Sequence, residues 1–126
     1  MGKSYLLASA LDPQAAADAV AAAPAPPDFC ILAPSAPARA TAAFALRGRS
    51  VFTVEEPLLA ARVPPESGAD VLARTAQALR DAQAYDARSP LIVFDRLDIL
   101  GAAAFALDEE GLTRLADDLE RALPLP

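Results

Sequence analysis

The chain reads as a single α/β domain over residues 1–126, a compact three-layer α/β/α sandwich around a mostly parallel sheet of about four strands. Three observations predict this. Short apolar runs of strand length alternate about four times with Ala-rich or amphipathic stretches of helical length, a pattern that packs helices against a largely parallel sheet through right-handed crossovers. Pro90-Leu-Ile-Val-Phe94 is a continuous run of large apolar residues, β-branched and aromatic, as suits a strand covered on both faces. A chain of this length buries roughly two-thirds of its unfolded surface, which is enough for one core.

Each element has a local reason. Residues 4–8 read as the first strand, and Asp12-Pro13 supplies an N-cap and a first-turn proline for an Ala-rich helix reaching about Ala23. Pro24-Ala-Pro26-Pro27 stops that helix and is too short to be a domain linker. Phe29-Cys-Ile-Leu32 is the second strand; Pro34-Ser35-Ala36-Pro37 then turns the chain into a helix from about Ala38 to Leu46, closed by Arg47-Gly48-Arg49. Residues 50–54 alternate as a third strand, followed by Glu55-Glu56-Pro57 and a short apolar turn at Leu58 and Leu59.

Pro64 and Pro65 break the chain before the clearest helix. Ser67 with Asp70 resembles a capping box, Val71, Leu72, Thr75, Leu79 and Ala82 share one face, and the pairs Asp70–Arg74 and Gln77–Asp81 fall on the other. After the strand at 90–94, residues 97–107 are apolar and Ala-rich and read as a helix flawed at Gly101. Asp108 caps a last helix with the stripe Leu112, Leu115, Leu119 and Ala122 or Leu123, with Asp117 facing Arg121, and Pro124 ends it.

Composition excludes several functions. The net charge is -6 and the pI about 4.5, and no basic stripe is present, which argues against nucleic acid as a partner. The apolar run from Tyr5 to Leu11 is interrupted by Ser9 and ended by Asp12, too weak for a signal peptide and too short to span a bilayer. Leu6 stands where a myristoylation start requires Ser or Thr. A cytoplasmic protein without membrane contact is expected. Cys30 is the sole cysteine and lies in an apolar run, so a buried thiol is expected and an intrachain disulfide is impossible. No cofactor and no metal site are expected.

Asp95 and Arg96 follow the apolar run at 90–94, where parallel sheets place ligands, just outside a strand's carboxyl end. The plainer role for Asp95 is a helix N-cap or a partner of Arg96. Glu55 and Glu56 are adjacent and point to opposite sides of a strand, so they form no catalytic pair. Glu66 reads as a contributor to the cap of the helix that follows it.

Four segments together resemble the histidine phosphatase superfamily, with its phosphoglycerate mutase-like fold. Ser4-Tyr-Leu-Leu-Ala-Ser9-Ala10 sits where that family has a strand ending in Arg-His-Gly, and Ser35-Ala-Pro-Ala-Arg39-Ala40 resembles its Ser-Pro-x-x-Arg-Ala segment. Glu66-Ser-Gly-Ala-Asp70-Val-Leu-Ala-Arg74 is similar to the start of its long helix, and Leu91-Ile-Val-Phe-Asp95 to the strand carrying its second histidine. The resemblance implies a histidine nucleophile flanked by two arginines, a second histidine and an acidic proton donor.

The departures from that pattern decide the expected function. The chain has no histidine; Ser9 takes the nucleophile's place, Ala8 that of the preceding arginine and Asp95 that of the second histidine. Arg39 is the survivor among the phosphate-contacting positions, and the threonine usual four residues later is Ala43. A phosphohistidine intermediate needs an imidazole with a free nitrogen at neutral pH, so that chemistry is excluded. An Asp in place of His also repels a phosphate dianion.

The expectation is a catalytically inactive domain, a pseudoenzyme serving as a protein-interaction or ligand-sensing module. The alternative is a small enzyme or binder of a phosphorylated or other anionic metabolite, with a pocket rebuilt from Arg39, Ser9 and Asp95. Arg39, Ser35 and Arg96 are its anion-binding candidates. Ser9 with Asp95 as base is a weak catalytic pair, because a carboxylate of ordinary pKa deprotonates a hydroxyl poorly. An aspartyl phosphate on Asp95 needs further carboxylates around magnesium, and Asp98 is the near one in sequence. Because the chain is shorter than typical members of the family, an uncovered sheet edge or helix face is expected, and with it an unidentified protein partner or a homo-oligomer.

Overall fold

A computed structural model describes residues 3–61, 63, 65–95 and 103–121. It contains strands β1 (Ser4–Ser9), β2 (Phe29–Leu32), β3 (Phe52–Glu55), β4 (Pro90–Phe94) and β5 (Ala104–Asp108). The helices are α1 (Pro13–Ala22), α2 (Ala36–Ala45), α3 (Gly68–Ala84) and α4 (Glu109–Glu120), with a 3-10 turn at Pro57–Leu59. The strands form one mixed five-stranded sheet in the order β3-β2-β4-β1-β5. β3, β2, β4 and β1 run parallel, and β5 is antiparallel to β1.

The path of the chain places the helices. From β1 it crosses to β2 and on to β3 in one direction, then returns to β4, so right-handed crossovers put α1 and α2 on one face and α3 on the other. α1 packs on α2 and α4 on α3, giving three layers. β4 lies between β1 and β2, with Leu91 opposite Leu6 and Cys30, and Ile92 opposite Leu7 and Ile31. All its residues are buried, as are Tyr5, Leu7, Ile31 and Leu79. That two-sided burial is why β4 reads as an unbroken apolar run.

Local chemistry sets the helix starts, as expected at Asp12, Ser67 and Asp108, while Ser35 caps a helix that begins at Ala36, two residues before the expected start. Asp12, Ser35, Ser67 and Asp108 each accept a hydrogen bond from the backbone N–H three residues on, and Ser67 with Asp70 completes the capping box. Lys3 Nζ donates to the carbonyls of Gln83 and Tyr85 at 3.0 and 2.8 Å, placing a cation at the C-terminus of α3, where the helix dipole favours one. The Asp28 carboxylate accepts from the N–H groups of Arg88 and Ser89, tying the start of β2 to that of β4.

The helix expected over 97–107 is corrected in the part described: residues 104–107 belong to β5. Alanine favours helix locally, but Ala104 and Ala106 pair with Ala8 and Leu6, and the alternate Phe105 and Leu107 pack on the core. Cross-strand pairing and burial outweigh intrinsic propensity here. Residues 97–102, with Asp98 and Gly101, lie outside the described residues, as do Ala122, Leu123 and Pro124. Asp117 pairs with Arg80 of α3 at 2.9 Å rather than with its own helix, and Arg80 also reaches Glu120.

Arg74 likewise looks past Asp70. Its guanidinium donates to both carboxylate oxygens of Glu66, at 2.6 and 2.9 Å, and to the carbonyls of Leu58, Ala60 and Ala61. The planar fork of five donors matches this set, and it fastens the loop after β3 onto α3. Glu66 thus serves a loop clasp, accepting from Arg74 and from the Val63 N–H.

Replacing Arg74 by Ala is expected to cost about 2–4 kcal/mol in urea unfolding, since it strands a partly buried carboxylate and several carbonyls. Arg74→Lys keeps the charge but not the fork, so it should recover less than half of that loss. Full recovery by Lys would show that charge alone holds the loop.

A second outcome concerns alkaline pH. Burial pushes the Cys30 thiol up to about 12, and burial together with the 2.7 Å bond to Glu109 holds the Tyr5 phenol far above its usual value. Both groups lose protons more readily unfolded than folded, so above about pH 9 the native state binds more protons and stability falls as pH rises. The urea midpoint should decline from pH 8 to 10.5, and less steeply in a Cys30→Ala/Tyr5→Phe variant. Equal slopes in the two proteins would rule out this cause.

Candidate functional site

The parallel strands all end at one edge of the sheet, and the candidate residues gather there. Ser9 ends β1 opposite Phe94, so Asp95 lies one residue beyond that pair on β4. Ala33 N–H donates to Val93 O, which carries the chain past the end of β2 to Ser35, the N-cap of α2. Arg39 follows on the second turn of α2, and Glu55 ends the neighbouring β3.

Two of these groups meet across the sheet. Ser35 Oγ donates to Asp95 Oδ1 at 2.7 Å while accepting from Ala38 N–H at 3.2 Å, which a hydroxyl with one proton and two lone pairs can do at once. Asp95 therefore sits one hydroxyl away from the N-terminus of α2, where the helix dipole favours a negative charge. The place at α2 that suits an external anion faces the protein's own carboxylate.

Arg39 is turned to a different partner. Its Nε and Nη2 donate to Glu55 at 2.8 and 3.1 Å in a two-pronged pair, with the Arg39 side chain 53% exposed. The hydrogen bond and charge of each raise the Arg39 pKa and lower that of Glu55. Ser9 is only 3% exposed, and its Oγ accepts from Leu11 N–H at 3.0 Å, closing the turn from β1 into α1. Ser9, Arg39 and Asp95 share an edge but form no common hydrogen-bonded set among the described residues. Arg96 lies outside the described residues.

Glu55 is the site residue that sequence reasoning missed. Adjacent glutamates at a strand end signal only that they diverge, and they do: Glu55 goes to Arg39, while Glu56 accepts from Leu58 N–H. No sequence pattern links positions 39 and 55, which meet because α2 lies beside β3. Cys30, buried with its raised pKa, is held as a thiol and is a poor nucleophile. Among the described residues, no group of three or more His, Cys, Asp or Glu side chains gathers as metal ligands.

Chemically, this edge pairs its own charges. Among the described residues it holds a helix cap at Ser35, a carboxylate bonded to that cap and an arginine paired with Glu55. Comparison with protein-family models, curated proteins and solved structures finds no significant match to this chain.

Ser35→Ala removes both the cap of α2 and the partner of Asp95, and should lower stability by about 1–2 kcal/mol. Asp95→Asn keeps an acceptor for Ser35 and should cost less than half as much. If the order is reversed in chemical denaturation, the carboxylate charge rather than the shared hydroxyl holds this edge together.

Proposed function

We propose that this chain is a catalytically silent, histidine-phosphatase-like domain of phosphoglycerate mutase-like fold, acting in the cytoplasm as a protein-interaction or ligand-sensing module. The observation that carries the reading is the 2.7 Å bond from Ser35 to Asp95. Where the resemblance implies a second histidine beside a phosphoryl group, this chain holds a carboxylate bonded to its own helix cap.

Further support comes from placement. Of the four segments that carry the resemblance, two run along β1 and β4 and two open α2 and α3; strand direction brings Ser9 and Asp95 to the end of the sheet where those helices start. The absence of histidine from the sequence removes the phosphohistidine route. Ser9, the residue in the nucleophile's place, gives its lone pair to Leu11 N–H. A rebuilt pocket of Ser9, Arg39 and Asp95 has no comparable support, because Arg39 is engaged by Glu55. The lone buried thiol fits a reducing compartment.

The test combines catalysis with anion binding. A panel of phosphomonoester and mutase substrates should show no turnover above buffer, and the melting temperature should stay flat up to millimolar phosphate or sulfate, since a bound anion stabilises by mass action. Turnover abolished by Arg39→Ala would overturn the proposal.

A further inference from the structure

The free edge of β3 and the groove beside it fit a partner of definite chemistry. Among the described residues, β3 is the last strand on its side of the sheet. Glu56 N–H donates to Leu32 O, and Val54 is in register with Ile31, so in this parallel ladder residues 52, 54 and 56 turn their amides toward β2. The N–H and C=O groups of Thr53 and Glu55 then face outward, as a template for another strand.

Between this edge and α2 runs a groove of about 440 Å³ with Leu32, Leu46 and Val51 at its base. Its rim is basic. Arg39 lies at one end with Glu55, and Arg47 and Arg49 at the other. Arg47 lies 4.3 Å over the Phe44 ring and donates to Phe44 O; Arg49 has no partner for its guanidinium among the described residues. Gly48, at φ 78°, makes the left-handed turn that sets these two arginines side by side. Three arginines face one carboxylate here, in a chain whose net charge is -6. On the opposite face of the same edge, Phe52 is 69% exposed and stacks on Phe29 at 5.6 Å.

We propose that β3 accepts an extended acidic segment of another protein as an added strand. Alternate carboxylates, about 7 Å apart on one face of a strand, lie toward Arg47 and Arg49, and the intervening apolar residues lie toward Phe52. The recognised pattern is acidic and apolar residues in strict alternation. A second copy of this chain is disfavoured at this edge, because symmetric pairing brings the same three arginines together. The inference rests on the reading of the chain as an interaction module and adds the surface and the partner's chemistry.

The test uses the full chain and a dye-labelled eight-residue peptide alternating Glu and Val, followed by fluorescence anisotropy at low salt. Saturable binding is expected, weakening as salt rises, and an Arg47→Glu/Arg49→Glu variant should bind about tenfold more weakly, a change of about 1.4 kcal/mol. A peptide of the same composition with its glutamates in one block should bind far less. Thr53→Pro removes an outward N–H and no ladder bond, so it should abolish binding with the melting transition retained. If that variant fails to fold, amide exchange in the unmodified protein decides: the peptide must slow Thr53 and Glu55 selectively.

Equal binding of the blocked peptide, displacement by inorganic phosphate alone, or self-association through this edge without peptide binding would each overturn the inference. No peptide binding together with no turnover sinks the inference and leaves the proposed function standing. Turnover sinks the function instead.

Discussion

The rest of the molecule depends on the burial of both faces of β4. Its five residues, Pro90–Phe94, are all buried, held between β1 and β2. An apolar strand of this kind must be covered above and below, which requires crossovers to opposite sides of the sheet and so creates three layers. The same parallel pairing aligns the carboxyl ends of β1, β2, β3 and β4. Ser9, Asp95, Ser35 and Glu55 stand at that end because the parallel pairing puts them there.

The charges gathered there answer one another. Asp95 is held by Ser35, Arg39 by Glu55, and Arg74 by Glu66 with three loop carbonyls. Catalytic sites keep groups unsatisfied or displaced in pKa so that they act on a substrate. Here the strongly displaced groups are Cys30 and Tyr5, and burial is the leading cause for both. Their shifts report packing. Away from these pairs, the groove beside β3 carries Arg47 and Arg49 on its rim.

How much was legible follows from which contacts are local. The caps at Asp12, Ser67 and Asp108 reach three residues and could be read from residue type and spacing. α3 was legible from its capping box and apolar stripe, and β4 from its continuous apolar run. β5 was not, because Ala104 and Ala106 favour helix until β1 offers an edge to pair with. Arg74 pairs with Glu66 and with loop carbonyls that are 13 to 16 positions away, which no local spacing connects.

By itself, then, the sequence determined the alternation of elements as far as β4, the two-sided core strand and the absence of imidazole chemistry. Only the tertiary structure decided what the residues at the strand ends do. Ser35 and Asp95 are 60 positions apart, and Arg39 and Glu55 16 apart, so no local preference connects them. Such pairs form when strand order and helix placement bring them within hydrogen-bonding reach. That geometry is set by burial of the whole sheet and not by any short stretch of chain.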